Sequence, residues 1–112
     1  MVTIDQLRRF AQSLPEAVEE DHRGRPSFRV RGRIFATLHP EDRLAVLKLP
    51  IPEQAALESA RPDACVLNAW SRQGSTGVRL AKIPKEELER LVVVAWRGVA
   101  PQRARRAFDG EA

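Results

Sequence analysis

Arg23-Gly24-Arg25-Pro26-Ser27-Phe28-Arg29-Val30-Arg31-Gly32-Arg33-Ile34-Phe35-Ala36 is the stretch that decides the fold. Five arginines and no acid stand in its first eleven residues, and Arg29 and Arg31 alternate with Phe28 and Val30. Period two sends guanidinium groups to one face of a strand and apolar groups to the other. Gly32 then supplies a tight turn, so the stretch reads as a hairpin of strands over residues 27–31 and 33–39. Two registers are open. A three-residue turn at Arg31-Gly32-Arg33 puts Phe28, Val30, Ile34, Ala36 and Leu38 on the core face and leaves Phe35 beside Arg29. A two-residue turn at Arg31-Gly32 pairs Phe28 with Phe35 and leaves Ile34 beside Arg29.

Outward from the hairpin, Thr3 and Gln6 have the spacing of a capping box, and Ile4, Leu7, Phe10, Ala11 and Leu14 recur at helical intervals. The spacing predicts a helix over 4–13 that ends at Pro15. The acidic connector Glu16 to Asp21 follows, with a short strand around Val18 to His22. Beyond the hairpin, His39-Pro40-Glu41-Asp42 is a turn into a strand over 43–49, and Pro52 opens a short helix over 53–60. Two more strands are expected at 65–69 and 78–83, with 71–77 as a flexible polar loop between them. Pro84-Lys85-Glu86-Glu87 starts the strongest helix, whose apolar face is Leu88, Leu91, Val92, Ala95 and Val99 and whose end lies near Gly98. Trp96 is expected at the margin of the core, and residues 101–112 as a frayed basic tail. This order gives an α+β domain over 1–112, an antiparallel sheet of five to six strands with helices on one face.

The 112 residues are 43% apolar and 30% charged, with a formal net charge of +4. That is the composition of one ordinary globular domain. No run reaches the roughly 18 apolar residues of a membrane span, and the first residues lack a signal peptide's pattern. A cytoplasmic location and a monomer are the expectations, and the lone Cys65 reads as a small buried hydrophobe. A GxSxG elbow, a phosphate-binding loop, a GxGxxG fingerprint and an HExxH pair are all missing. His22 and His39 stand at a strand edge and a turn, without a Cys or second His at metal-ligand spacing. We therefore expect neither catalysis nor a cofactor or metal.

The run from Gly24 to Ala36, the strand Leu47-Lys48-Leu49, the Gly-containing loop before Val78-Arg79-Leu80, and the closing Ala95-Trp96 and Val99-Ala100-Pro101 together resemble the MmcQ/YjbR family. The resemblance covers nearly the whole chain. It implies a CyaY-like α+β fold, a double-wing arrangement of hairpins and DNA binding. Members often carry Gly-Trp in the loop where this chain has Gly74-Ser75-Thr76-Gly77, and Trp70 stands five residues earlier. Frataxin-type proteins share the fold and bind iron on acidic surfaces, which the basic balance here argues against.

Two functions follow. In the first, Arg23, Arg25, Arg29, Arg31, Arg33, Lys48 and Arg79 line one surface, with Phe35 if it is exposed, and neutralise DNA phosphates with little sequence specificity. In the second, the protein is a small-ligand or protein-binding module with a concave apolar pocket near Trp70 and the loop 71–77. The first reading expects a continuous positive surface without such a pocket, and acidic side chains interrupting the arginine face would remove its physical basis.

Overall fold

In the computed structural model, which describes residues 2–110, the chain forms α1 (Ile4–Ser13), β1 (Val18–His22), β2 (Arg25–Val30), β3 (Arg33–His39), β4 (Leu44–Lys48), α2 (Ile51–Ala60), β5 (Cys65–Val66), β6 (Ser75–Arg79), α3 (Lys85–Arg97) and α4 (Gln102–Phe108). All neighbouring strands are antiparallel, in the order β1-β2-β3-β4-β6-β5. The capping box at the start of α1 is complete: the Thr3 N–H donates to Gln6 Oε1 at 3.0 Å, and the Gln6 N–H donates to Thr3 Oγ1 at 3.1 Å.

Both hairpins at the β1 edge close on two-residue turns in the left-handed region. Arg23 and Gly24 have φ of 56° and 84°, and Arg31 and Gly32 have φ of 53° and 81°. Such turns match the twist of the flanking strands, which is why glycine follows arginine in both.

The turn at Arg31-Gly32 pairs Val30 with Arg33 and Arg29 with Ile34, but Phe28 faces Ala36. Phe35 is therefore the extra residue of a β-bulge, where two residues of one strand oppose one of the other. Each register expected from the sequence holds for half of the strand. Near the turn the two-residue register places Ile34 outside and Phe35 inside; beyond the bulge Ala36 and Leu38 return to the core face. Phe35 is fully buried and meets Phe28 edge to face, with ring centroids 6.5 Å apart at 89°. This corrects the reading of Phe35 as an exposed contact residue.

The core face carries Phe28, Val30, Phe35, Ala36, Leu38, Ala45, Leu47 and Val78. Helix α3 packs on β3 and β4, and α1 packs on β2 and α3. Trp96 lies at the centre of this packing rather than its margin, fully buried, and its indole N–H donates to the Pro15 carbonyl at 3.0 Å. Of the tail expected to be frayed, Gln102–Phe108 form α4, which buries Ala104 and lays Phe108 against Trp96 at 5.3 Å, while 111–112 lie outside the described residues. Its i, i+4 pair of apolar residues, Ala104 and Phe108, supplies the docking that three arginines conceal in a charge count.

Three further expectations are corrected around β5 and β6. β5 stops at Val66 because Asn68 Oδ1 accepts the Trp70 N–H at 2.8 Å, a side-chain turn that competes with a strand. β6 occupies Ser75–Arg79 rather than 78–83, and a 3₁₀ turn over Leu80–Lys82 follows it. Much of the loop expected to be flexible is thus strand, and the remainder is braced. No described helix is long and apolar enough to cross a membrane.

Candidate functional site

The helices leave the opposite face of the sheet open. Paired residues of an antiparallel sheet share a face, so the register assigns rows to it. One row runs Glu20, Ser27, Thr37, Val46 and Gly77, with Arg29 and Ile34 on one side of it and Arg25, His39, Leu44 and Arg79 on the other. Over this face lies a cavity of about 520 Å3, bounded by Arg29, Arg33, Lys48, Trp70, Gln73 and Ser75 and floored by Ile34, Thr37 and Val46. Among the described residues, three cations and no carboxylate line it. It sits beside Trp70 and the segment 71–75, where the binding-module reading places a pocket.

Arg29 lies along the sheet with 21% of its side chain exposed; its Nε is 3.4 Å from Ser27 Oγ and 3.9 Å from Glu20 Oε1. The Ser27 hydroxyl donates to the Glu20 carbonyl at 2.9 Å, so the residue beneath Arg29 is satisfied. Arg33 and Lys48 are exposed, and neither joins an ion pair among the described residues.

The remaining arginines of the segment are elsewhere or engaged. Arg25 binds Glu41 at 2.6 Å, and Arg31 binds Glu16 at 3.2 Å. Arg79 donates to the Asp63 carbonyl at 2.8 Å. Arg23 is exposed at the β1–β2 turn, away from the cavity lining. The seven cations expected on one surface therefore do not form one. Acids interrupt the row, and of the seven only Arg29, Arg33 and Lys48 line the cavity.

The wall bearing Trp70 is built with care from polar groups. Gln54 of α2 is buried, and its Nε2 donates to the Ser71 carbonyl at 3.0 Å and to Thr76 Oγ1 at 2.8 Å. The Thr76 hydroxyl donates to the Gly74 carbonyl at 3.0 Å, and Ser71 Oγ accepts the Asn68 N–H at 2.7 Å. Gly74 has φ of 99°, and a Cβ there would lie 2.7 Å from the Leu49 carbonyl oxygen, so only glycine lets the loop pass so close to Leu49, just after β4. Trp70 itself remains 63% exposed. Gln54 escaped the sequence reading because nothing in Glu53-Gln54-Ala55 distinguishes a buried amide from a solvated one.

The turn after β3 also gathers His39, Glu41 and Asp42, whose ligand atoms lie within 4.8 Å of one another. Arg25 already engages Glu41 in that cluster. Burial and then the nearby Arg25 lower the His39 pKa. Cys65 is half-buried, and burial followed by the charge of Glu58 pushes its thiol up, away from a reactive thiolate.

Comparison with known proteins agrees with this architecture. The crystal structure of Deinococcus radiodurans protein DR2400, a DUF419 domain, superposes with a TM-score of 0.79 at 20% identity, covering 100% of this chain and 91% of that one. At that identity the likeness concerns the fold. No curated protein matches the chain. The family model named YjbR matches residues 12–98, from the last two residues of α1 through the end of α3. The chain belongs to the YjbR family.

Proposed function

We propose that this protein is a non-catalytic nucleic-acid-binding module whose contact site is the open-face groove, with Arg29, Arg33 and Lys48 taking phosphate groups. The observation that carries the reading is the lining: among the described residues, three cations and no carboxylate surround one cavity of about 520 Å3. A like-signed lining over low-dielectric walls concentrates the field on whatever enters. Arginine and lysine supply the donors that phosphate oxygens accept.

This is a smaller footprint than the arginine count suggests. Arg25 and Arg31 have carboxylate partners, so an approaching phosphate would compete with an acid already in place. Of the two hairpins, β2–β3 brings Arg29 and Arg33 to the groove, whereas Arg23 at the tip of β1–β2 stands apart. Two to three phosphates neutralised correspond to a log-affinity slope against log salt of about −2 to −3.

The test is a salt titration of binding to a labelled oligonucleotide, comparing the wild type with Arg33→Ala/Lys48→Ala. We expect the double variant to lose affinity and to shallow the slope by about 2. Absence of wild-type binding at low salt, or an unchanged slope in the variant, overturns the proposal.

A further inference from the structure

We infer that the groove takes a nucleotide whose base is unpaired, with the base face laid on Trp70 and the phosphate on Arg29, Arg33 and Lys48. The inference rests on the phosphate-binding reading and adds to it the element that selects the ligand.

Trp70 is the most exposed large hydrophobic side chain among the described residues, at 63%. A mobile loop would make such exposure uninformative. Here the loop is fixed by Gln54, Asn68, Ser71 and Thr76 and by the close passage of Gly74 over Leu49. Four side chains and a left-handed glycine therefore hold an indole at the rim of a cavity instead of tucking it into the core. Preorganised aromatic surface loses little conformational freedom when a ligand lands on it.

Chemistry at the rim matches one class of partner. The indole and the three cations share one lining, so a ligand must present a flat apolar face and an anionic group together. The floor between them is neutral, made by Ile34, Thr37 and Val46, and Gln73 and Ser75 border it with an amide and a hydroxyl suited to the polar edge of a base. The volume of about 520 Å3 lies within the roughly 300–1,000 Å3 typical of small-ligand sites. A duplex keeps its base faces stacked and offers none to the indole. A single strand or a free nucleotide offers one, and base stacking on an aromatic side chain tolerates any base.

The test uses three probes: a short oligothymidylate, an abasic strand of equal length, and thymidine monophosphate. Trp96 is buried with its N–H satisfied, so ligand-dependent fluorescence reports Trp70. We expect oligothymidylate to quench that emission and to bind at least about fivefold more tightly than the abasic strand. Trp70→Ala should lower oligothymidylate affinity to the abasic level without shifting the unfolding midpoint, and Trp70→Phe should restore most of the difference. Quenching by thymidine monophosphate at comparable concentration identifies a free nucleotide as the ligand, and quenching by the strand alone identifies single-stranded nucleic acid. Equal binding of the oligothymidylate and abasic strands, with Trp70→Ala unchanged, overturns the stacking inference while leaving the phosphate reading standing. Failure of both strands to bind removes the two together.

Discussion

Arg31 and Arg33 are two residues apart on either side of Gly32, yet they belong to different electrostatic worlds. Arg31 meets Glu16 at 3.2 Å, and Arg25 meets Glu41 at 2.6 Å. Arg33 and Lys48, facing the groove, have no acid in contact among the described residues. Arg29 stands between the two groups, 3.9 Å from Glu20. The difference teaches that a count of cations in a sequence overstates a binding surface. What a phosphate can use is the charge left after the fold has brought its acids alongside.

The largest effect we predict removes the frame on which both groups stand. Phe35→Ala should destabilise the protein by about 3–5 kcal/mol in urea unfolding, because the bulge depends on Phe35 filling the space beside Phe28. A loss below about 1 kcal/mol would mean that the strand re-registers and the bulge is dispensable.

The next prediction breaks the comparison directly. Arg25→Ala/Arg31→Ala should change oligonucleotide affinity less than about threefold, against a loss of about tenfold or more for Arg33→Ala/Lys48→Ala at low salt. Equal losses measured by anisotropy would mean that the paired arginines are recruited by the ligand. A sharper form is Glu16→Gln, which frees Arg31 and relieves Arg103 at 3.7 Å. The salt slope should steepen by up to about one, while stability changes by at most about 1 kcal/mol, as expected for exposed pairs.

The smallest effect is a pH dependence. The Glu41 carboxyl is held below its ordinary range, first by a backbone N–H of its own turn and then by the Arg25 guanidinium. Its folded value lies below its unfolded value, so its contribution to stability is whole at neutral pH and is lost as pH falls through the lowered value. The melting temperature of Glu41→Gln should therefore converge on that of the wild type as pH falls from about 6 to about 3. A constant gap across that range would remove Glu41 from the account.

Much of this architecture was legible in particular residues. Thr3 and Gln6 announce α1, Pro84 and the Leu88-Leu91-Val92-Ala95 face announce α3, and the left-handed turns demand Gly24 and Gly32. What escaped did so for physical reasons. Alternation of period two cannot register a single inserted residue, so neither pure register holds along the whole strand, although the two-residue turn does send Phe35 to the core. The bracing of Trp70 depends on Gln54, separated from Thr76 by 22 positions, and a long-range amide contact leaves no local pattern. Helix α4 was hidden because Arg103, Arg105 and Arg106 dominate a segment whose docking rests on Ala104 and Phe108. In the candidate site, the cations were identifiable as a set, but their sorting into paired and unpaired groups required the fold.

Strand β1 carries a consequence of a different kind. It is the outer strand of the sheet, and its sequence Val18-Glu19-Glu20-Asp21-His22 offers unpaired backbone groups along its free side. A second copy adding there in antiparallel fashion would set carboxylates against carboxylates at every central position. Like charges directly opposite one another oppose pairing, and charged edges are a recurrent defence against sheet-to-sheet polymerisation. The acids that offset arginines within one molecule thus also guard its exposed margin against another.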